Sequence, residues 1–375
     1  TSDIAIVRHG EPVMADTGIH IGQWKTMVKG LYVDTFGLGG DSAVRFKDHE
    51  LFLDTTRVIP ISTLASQYDT VIPKLKELAD EKRFHGSWIH EFYVLQKDIS
   101  DKNGYTQEEK AVCEALKNGP LITMELADMF DKDPHFLRLE RLEQDGVLMK
   151  SGLTPTDIMV IKGDFDRYDD KAARLTMECM SANLRMEKED IPDAVYELVI
   201  RKMYKNLVRI MLRQEYGNQK HLFSEEAQEE MLELLYRQAV KSTADKAKAG
   251  EADLKFQIHV PLVGVGAPIH VFLPKVGELL GTTTIIPEHA GVANALGAAA
   301  SRIISRSIVR VKAEYKDGSC YGYSVFENGQ LHMIDDFEEA EAFGCEVARR
   351  AAKEKAMRQG MKTDRKSTRL NSSHP

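Results

Sequence analysis

The sequence predicts an α/β protein whose strands end in glycine-rich loops, with a helical insert in its first half. Three observations predict it. Leu254 to Val263 is rich in β-formers, reads as a buried strand, and ends in Gly264-Val265-Gly266-Ala267-Pro268. A second short strand, Thr283 to Ile286, runs into Pro287-Glu288-His289-Ala290-Gly291 and a small-residue helix over about 290–304. Leu31 to Phe36 is a further strand, closed by Gly37-Leu38-Gly39-Gly40-Asp41-Ser42. Strand, glycine loop and helix in succession make the cradle that holds a nucleotide at the carboxyl ends of strands. Taken alone, Gly-x-Gly after a strand equally fits a tight strand-to-helix turn.

Residues 1–98 are strand-rich. Arg8-His9-Gly10-Glu11 sits between short apolar runs and signals a hairpin, as does 47–50 between Val44–Phe46 and Leu51–Leu53. The 37–40 loop can offer backbone N–H groups to phosphate, with Asp41 suited to a hydrated Mg²⁺; a glycine-rich β-turn fits the same residues. A helix over Ser62–Ala79 and a strand over Trp88–Gln96 complete this part.

Residues 99–152 change texture. Thr106-Gln-Glu-Glu109 is a capping box, Gly119-Pro120 stops the helix it starts, and helices at Met124–Phe130 and Pro134–Gln144 follow. Asp145-Gly146 turns into Val147-Leu-Met149, so the outline is a winged-helix-like insert. Between Tyr105 and Ser151 there are six Lys/Arg against ten Asp/Glu, net −4, which repels a phosphate backbone and favours a packing or interaction role over DNA binding.

Residues 153–250 are mainly helical. Thr154 is an N-cap with Pro155 at the first helical position and Asp157 at the third, so Asp157 has a capping role available to it. Further helices cover about 169–186, 193–216 and 224–244, and Lys241–Glu251 is a surface loop. In 251–360 the cradle is followed by strands near 307–315, 320–326 and 331–334 and an amphipathic helix over 336–357.

Composition sets further bounds. The chain of 375 residues suffices for about two domains. Net charge of −8 argues against a general nucleic-acid binder, and there is no apolar run long enough to span a bilayer. Cys113, Cys179, Cys320 and Cys345 are too dispersed for a disulfide framework or a zinc site and fit a reducing cytoplasm. There is no Gly-x-Ser-x-Gly, His-Glu-x-x-His or Cys-x-x-Cys. His259, His270 and His289 flank the cradle, where a histidine serves as a hydrogen-bonded structural group or as a base near phosphate. Met177, Met180 and Met186 read as core filler.

Together the motifs resemble the hydantoinase/oxoprolinase family, specifically its hydantoinase A-type subunit. Thr1-Ser2-Asp3 is similar to the tail of that family's GGT(T/S)xD phosphate loop. Phe36 to Ser42 is similar to its IGxGGGS loop, with Asp41 where glycine is usual. Leu153 to Asp157 is similar to its TVTDA motif, with Pro155 as a departure. Gly264–Pro268 and Pro287–Gly297 are similar to its GxGP…AGVASALG segment, with Asn294 for serine. The resemblance spans roughly 1–315. It implies the two-lobed ATPase fold of actin, sugar kinases and DnaK-type chaperones. It also implies ATP- and Mg²⁺-dependent hydrolysis of a small cyclic amide, a hydantoin or 5-oxoproline, through a phosphorylated amide, with a hydantoinase B-type subunit as partner. A reactivating chaperone or a carboxylase-complex subunit shares the same engine. Carried over residue by residue, Asp3, Asp41 and Asp157 are the catalytic candidates, and Asp3 and Asp41 the Mg²⁺ candidates. Thr1, Ser2, Gly37, Gly39, Gly40, Ser42 and Gly264-Val265-Gly266-Ala267-Pro268 would hold ATP. Thr1 falls inside the phosphate loop and no Met precedes it, so the chain reads as a fragment without its N-terminal lobe, expected to be inactive by itself, while 364–375 reads as a non-native tail.

Overall fold

A computed structural model describes residues 1–15, 18, 20–21, 24–27, 30–81, 88–133, 137–216, 224–244, 254–300, 305, 307–327 and 329–361. The chain is mixed α/β, with small sheets, and divides into two compact units, Thr1–Gly291 and Val292–Pro375. The region expected as 251–360 is therefore split, and only its first part belongs with the glycine loops.

The first unit begins with β1 (Ser2–Ala5), antiparallel to β2 (Val33–Phe36). The expected hairpin at Arg8–Glu11 forms, with His9 at φ 54° and Gly10 at φ 80°. The β3 (Ser42–Lys47) and β4 (Glu50–Arg57) hairpin turns through Asp48 and His49, both at positive φ. Two successive left-handed residues are what a type I′ turn demands, because its twist matches that of the strands.

β5 (Ile59–Pro60) leads into α1 (Ile61–Ala65) and α2 (Val71–Glu81), where a single helix over 62–79 was expected. Pro73 explains the break. It has no N–H to donate, so it fits the first turn of a new helix but not the middle of a long one. β6 (Phe92–Leu95) follows, then α3 (Gln107–Leu116), β7 (Leu121–Ile122), α4 (Thr123–Met129), α5 (Glu140–Gln144) and β8 (Leu148–Gly152). The capping box holds: Glu109 N donates to Thr106 Oγ1 at 3.1 Å and Thr106 N to Glu109 Oε2 at 2.7 Å. Residues 134–136 of the third expected helix lie outside the described residues.

The insert departs from a winged helix in its wing. β8 has no hairpin partner after it, because Thr154-Pro155 starts a helix at once. Its antiparallel partner is β6, from before the helices, and β6 also pairs with β7. The strand order is β5-β8-β6-β7, with β5 parallel to β8. The insert keeps its own core, centred on Ile99, Val112, Leu126 and Leu142.

α6 (Pro155–Lys162), α8 (Ile191–Tyr216) and α9 (Glu225–Ala244) agree closely with the expected helices, while α7 (Lys171–Ser181) ends five residues before the expected 186. α7 supplies Met177 and Met180 to the main core beside Val44, Ile61, Leu64, Leu75 and Phe92. Burial of each such side chain contributes about 1.5–3 kcal/mol. The long strand expected over 254–263 is only β9 (Leu262–Val263), and Leu254, Val260 and Val263 are exposed. Pro261 removes the backbone donor that a longer ladder would need. α10 (Ile269–Leu279) and β10 (Thr284–Ile285) follow, β9 and β10 pairing in parallel.

The second unit carries α11 (Ala293–Ala300), a meander of β11 (Val311–Lys316), β12 (Ser319–Glu327) and β13 (Gln330–Ile334), and α12 (Phe337–Arg358). α12 lies on the sheet, with Gly344 against Val311 and a core of Val325, Ala340 and Val347. The last four residues of the expected 290–304 helix, and the tail, are outside the described residues. All four cysteines are free thiols. No helix among the described residues is long and apolar enough to cross a membrane.

Candidate functional site

The β1–β2 pairing carries Thr1-Ser2-Asp3 to the glycine loop. Asp3 sits opposite Thr35 in the register, and Thr35 Oγ1 donates to Asp3 Oδ1 at 2.6 Å. Ser2 Oγ donates to the carbonyl of Leu38 at 2.8 Å. Within the loop, Ser42 N donates to Gly39 O at 3.1 Å and Gly39 N to Ser42 Oγ at 3.0 Å. The loop is thereby closed by its own serine.

Its glycines are required by protein neighbours on three sides. A Cβ on Gly37 would lie 2.9 Å from Thr55 Cβ, one on Gly39 3.2 Å from Thr1 N, and one on Gly40 2.5 Å from Thr156 Oγ1. Thr156 also fastens the loop directly, donating from N and from Oγ1 to Gly40 O, both at 2.9 Å. Thus the segments 1–3, 37–42 and 154–157, distant in sequence, form one cluster.

Asp157 is placed differently from its expected catalytic role. It is fully buried and accepts from Ile61 N at 3.2 Å, Ser62 N at 2.8 Å, Thr154 N at 2.9 Å and Thr154 Oγ1 at 2.7 Å. Burial pushes its pKa up, and the Ser62, Thr154 and Ile61 donors pull against that. One carboxylate caps both α1 and α6, and all its donors are protein groups. Asp41 is also engaged: its Oδ2 accepts from Arg57 Nε at 3.1 Å and lies 3.0 Å from Arg57 Nη2. Asp3 and Asp41 do not belong to a metal cage, since no group of three His, Cys, Asp or Glu able to hold an ion occurs among the described residues.

The cradle half of the prediction shows two different glycines. Gly264 N donates to Ile285 O at 2.9 Å, and a Cβ there would lie 2.5 Å from Leu273 Cδ2 and 2.6 Å from Ile269 Cγ1. It is the price of seating α10 on the strand pair. Gly266 has φ +112°, its N donates to Ala290 O at 2.7 Å, and a Cβ there would meet nothing within 4 Å. Val265 and Ala267 are exposed beside it, and Pro268 caps α10. His270 Nδ1 donates to Ala267 O at 2.8 Å, a structural bond that orients its ring.

Packing joins the two halves. Leu38 of the glycine loop shares an apolar cluster with Met159 of α6, Val199 of α8 and Phe272 of α10. Ile4 of β1 and Leu262 of β9 both pack on the cluster of Tyr204, Val276 and Leu280. Two concavities lie elsewhere. One, of about 910 Å³, is lined by Cys179, Arg185 and Lys188, and the other, of about 560 Å³, by His259, Glu278 and Thr282. Neither includes a residue expected to bind ATP.

Thr35, Thr55, Arg57 and Thr156 escaped the sequence reading. Thr156 stood inside a motif already singled out, but Arg57 reaches Asp41 only through the hairpin register that sets Arg57 opposite Ser42. Comparison of the chain with protein-family models, with curated proteins and with solved structures finds no significant match.

Proposed function

We propose that the chain is an ATP-dependent hydrolase of a small cyclic amide of the hydantoin or 5-oxoproline type, built on the two-lobed ATPase plan. The observation that carries this reading is the meeting of three separate motif segments, 1–3, 37–42 and 154–157, in one cluster whose apolar floor is shared with α10. A chance set of turns has no reason to converge in that way.

The residues fit ATP in two places. The 37–42 loop would meet phosphate along its glycines, with Gly39 N and Ser42 N already bonded within the loop, and the 264–268 loop leaves open space at Gly266 between exposed Val265 and Ala267. Among the described residues no group of three His, Cys, Asp or Glu gathers to hold an ion, so Mg²⁺ would be carried mainly by phosphates and water. ATP would supply a phosphoryl group that turns the oxygen of an unreactive lactam into a leaving group. This chain's part is to position and to exclude water.

The test mixes the full-length protein that contains this chain with ATP, Mg²⁺ and either hydantoin or 5-oxoproline and follows phosphate release and ring opening together. Stoichiometric coupling of the two is expected. Phosphate release indifferent to either lactam, or none at all, would remove the reading.

A further inference from the structure

We propose that Arg57 is the side chain that binds phosphate at the Gly37–Ser42 loop, exchanging a weak pair with Asp41 for it, and that Asp41 is not a metal ligand. The identity of the phosphate's carrier rests on the nucleotide reading above; the role of Arg57 rests on geometry.

The backbone puts Arg57 at the loop. Its Cα faces that of Ser42 across the β3–β4 pair, and the next residue, Val58, donates its N–H to Asp41 O at 2.9 Å. The side chain then turns to Asp41, where Nε and Nη2 share the single oxygen Oδ2. That contact is not the two-oxygen fork that guanidinium makes with its strongest partners. The Arg57 side chain is 76% exposed, so water screens the pair and little free energy opposes its exchange. A phosphate presents several oxygens to the same planar fork and carries more charge than Asp41.

Charge at the cluster means that an anion needs a basic side chain to bind there. Its hydroxyls and glycines are neutral, and Asp3 and Asp41 would repel an anion. Arg57 cancels Asp41, and backbone donors alone would otherwise have to offset two carboxylates.

The experiment is isothermal titration of the whole chain with inorganic tripolyphosphate and, separately, with ATP, each with and without Mg²⁺. Wild type, Arg57→Ala, Arg57→Lys and Asp41→Asn are compared, with thermal melts of each. Arg57→Ala should weaken both ligands roughly ten- to a hundred-fold, the range for a hydrogen bond to a charged group, and Arg57→Lys less. Asp41→Asn should bind Mg²⁺-free tripolyphosphate at least as tightly as wild type and keep the wild-type response to Mg²⁺. Arg57-dependent binding of tripolyphosphate without binding of ATP would uphold the inference and sink the nucleotide reading. ATP binding unchanged in Arg57→Ala would do the opposite, and wild type that binds neither probe would sink both. Loss of the Mg²⁺ response in Asp41→Asn would make Asp41 a metal ligand and overturn that part of the inference. Should Arg57→Ala melt early, Arg57→Gln keeps the length and gives the same comparison.

Discussion

Gly264 and Gly266 stand two residues apart and are glycine for opposite reasons. At Gly264 the space is missing, since a methyl would press on Leu273 and Ile269. Gly264→Ala should therefore destabilise the chain by about 1–3 kcal/mol, read by urea denaturation; an unchanged midpoint would show that α10 can shift freely. At Gly266 the space is present but the backbone is left-handed, so any side chain strains the loop before it meets a ligand. Ala267 is the better probe of nucleotide contact, being exposed and free of a positive φ. Ala267→Leu should leave the melt unchanged and lower ATP affinity roughly ten-fold or more if adenosine lies there. Equal affinity would place the nucleotide elsewhere. A third residue-scale case is Arg45, buried with Glu91, which it grips through Nε at 2.7 Å and Nη2 at 2.9 Å, and with Asp54. Arg45→Met strands the buried Glu91 and should cost about 3–5 kcal/mol, whereas adding Glu91→Leu should recover much of it. Equal losses in the single and double variants, measured by denaturant titration, would contradict this.

Among the elements, the α8–α9 pair is held along its polar edge by Glu233. Its Oε2 accepts from Arg201 Nε at 2.7 Å and Lys205 Nζ at 3.3 Å, and its Oε1 from Arg237 Nε at 3.0 Å. Burial alone would raise the carboxyl, but Arg201, Arg237 and Lys205 outweigh it and hold the pKa below its ordinary 4.5. A depressed carboxylate stabilises above the unfolded value and stops doing so as pH falls through the folded one. Melts from pH 7 to pH 3 should thus lose stability below about pH 4.5, and Glu233→Gln should flatten part of that slope. An identical slope in the variant would mean the cluster is held by water as well as by protein. Helices of this kind were legible in the sequence because caps and 3.6-residue periodicity are local. The capping box at Thr106 and the ends of α8 and α9 fell within two residues of expectation. What was not legible depends on partners far along the chain. Pro73 and Pro261 were visible, yet their neighbours' propensities outvoted them. Nothing within the β8 segment says that its partner is β6 instead of a wing. In the candidate site, the glycines were marked in the sequence, while Thr156 went unmarked inside a motif, Arg57 waited on a register and the saturation of Asp157 on contacts about 95 residues away.

For the whole molecule, two units with separate cores should respond separately to damage. Val325 is fully buried in the meander of the second unit. Val325→Ala should speed hydrogen exchange in β11–β13 and α12 while amides in β6 and β8 keep their protection. Faster exchange in both would show one cooperative body. The insert behaves in the contrary manner, because its sheet is not its own. β8 pairs in parallel with β5 of the main core, and two residues later the chain reaches Thr154, whose helix carries both Asp157 and Thr156. In genetic terms the segment is not a cassette. A deletion of 99–152 joined cleanly end to end would strip β6 of both neighbours and detach the run-in to α6. Homologous chains that vary in this region should accordingly differ in the helices between β7 and β8, and keep the strands that bracket them.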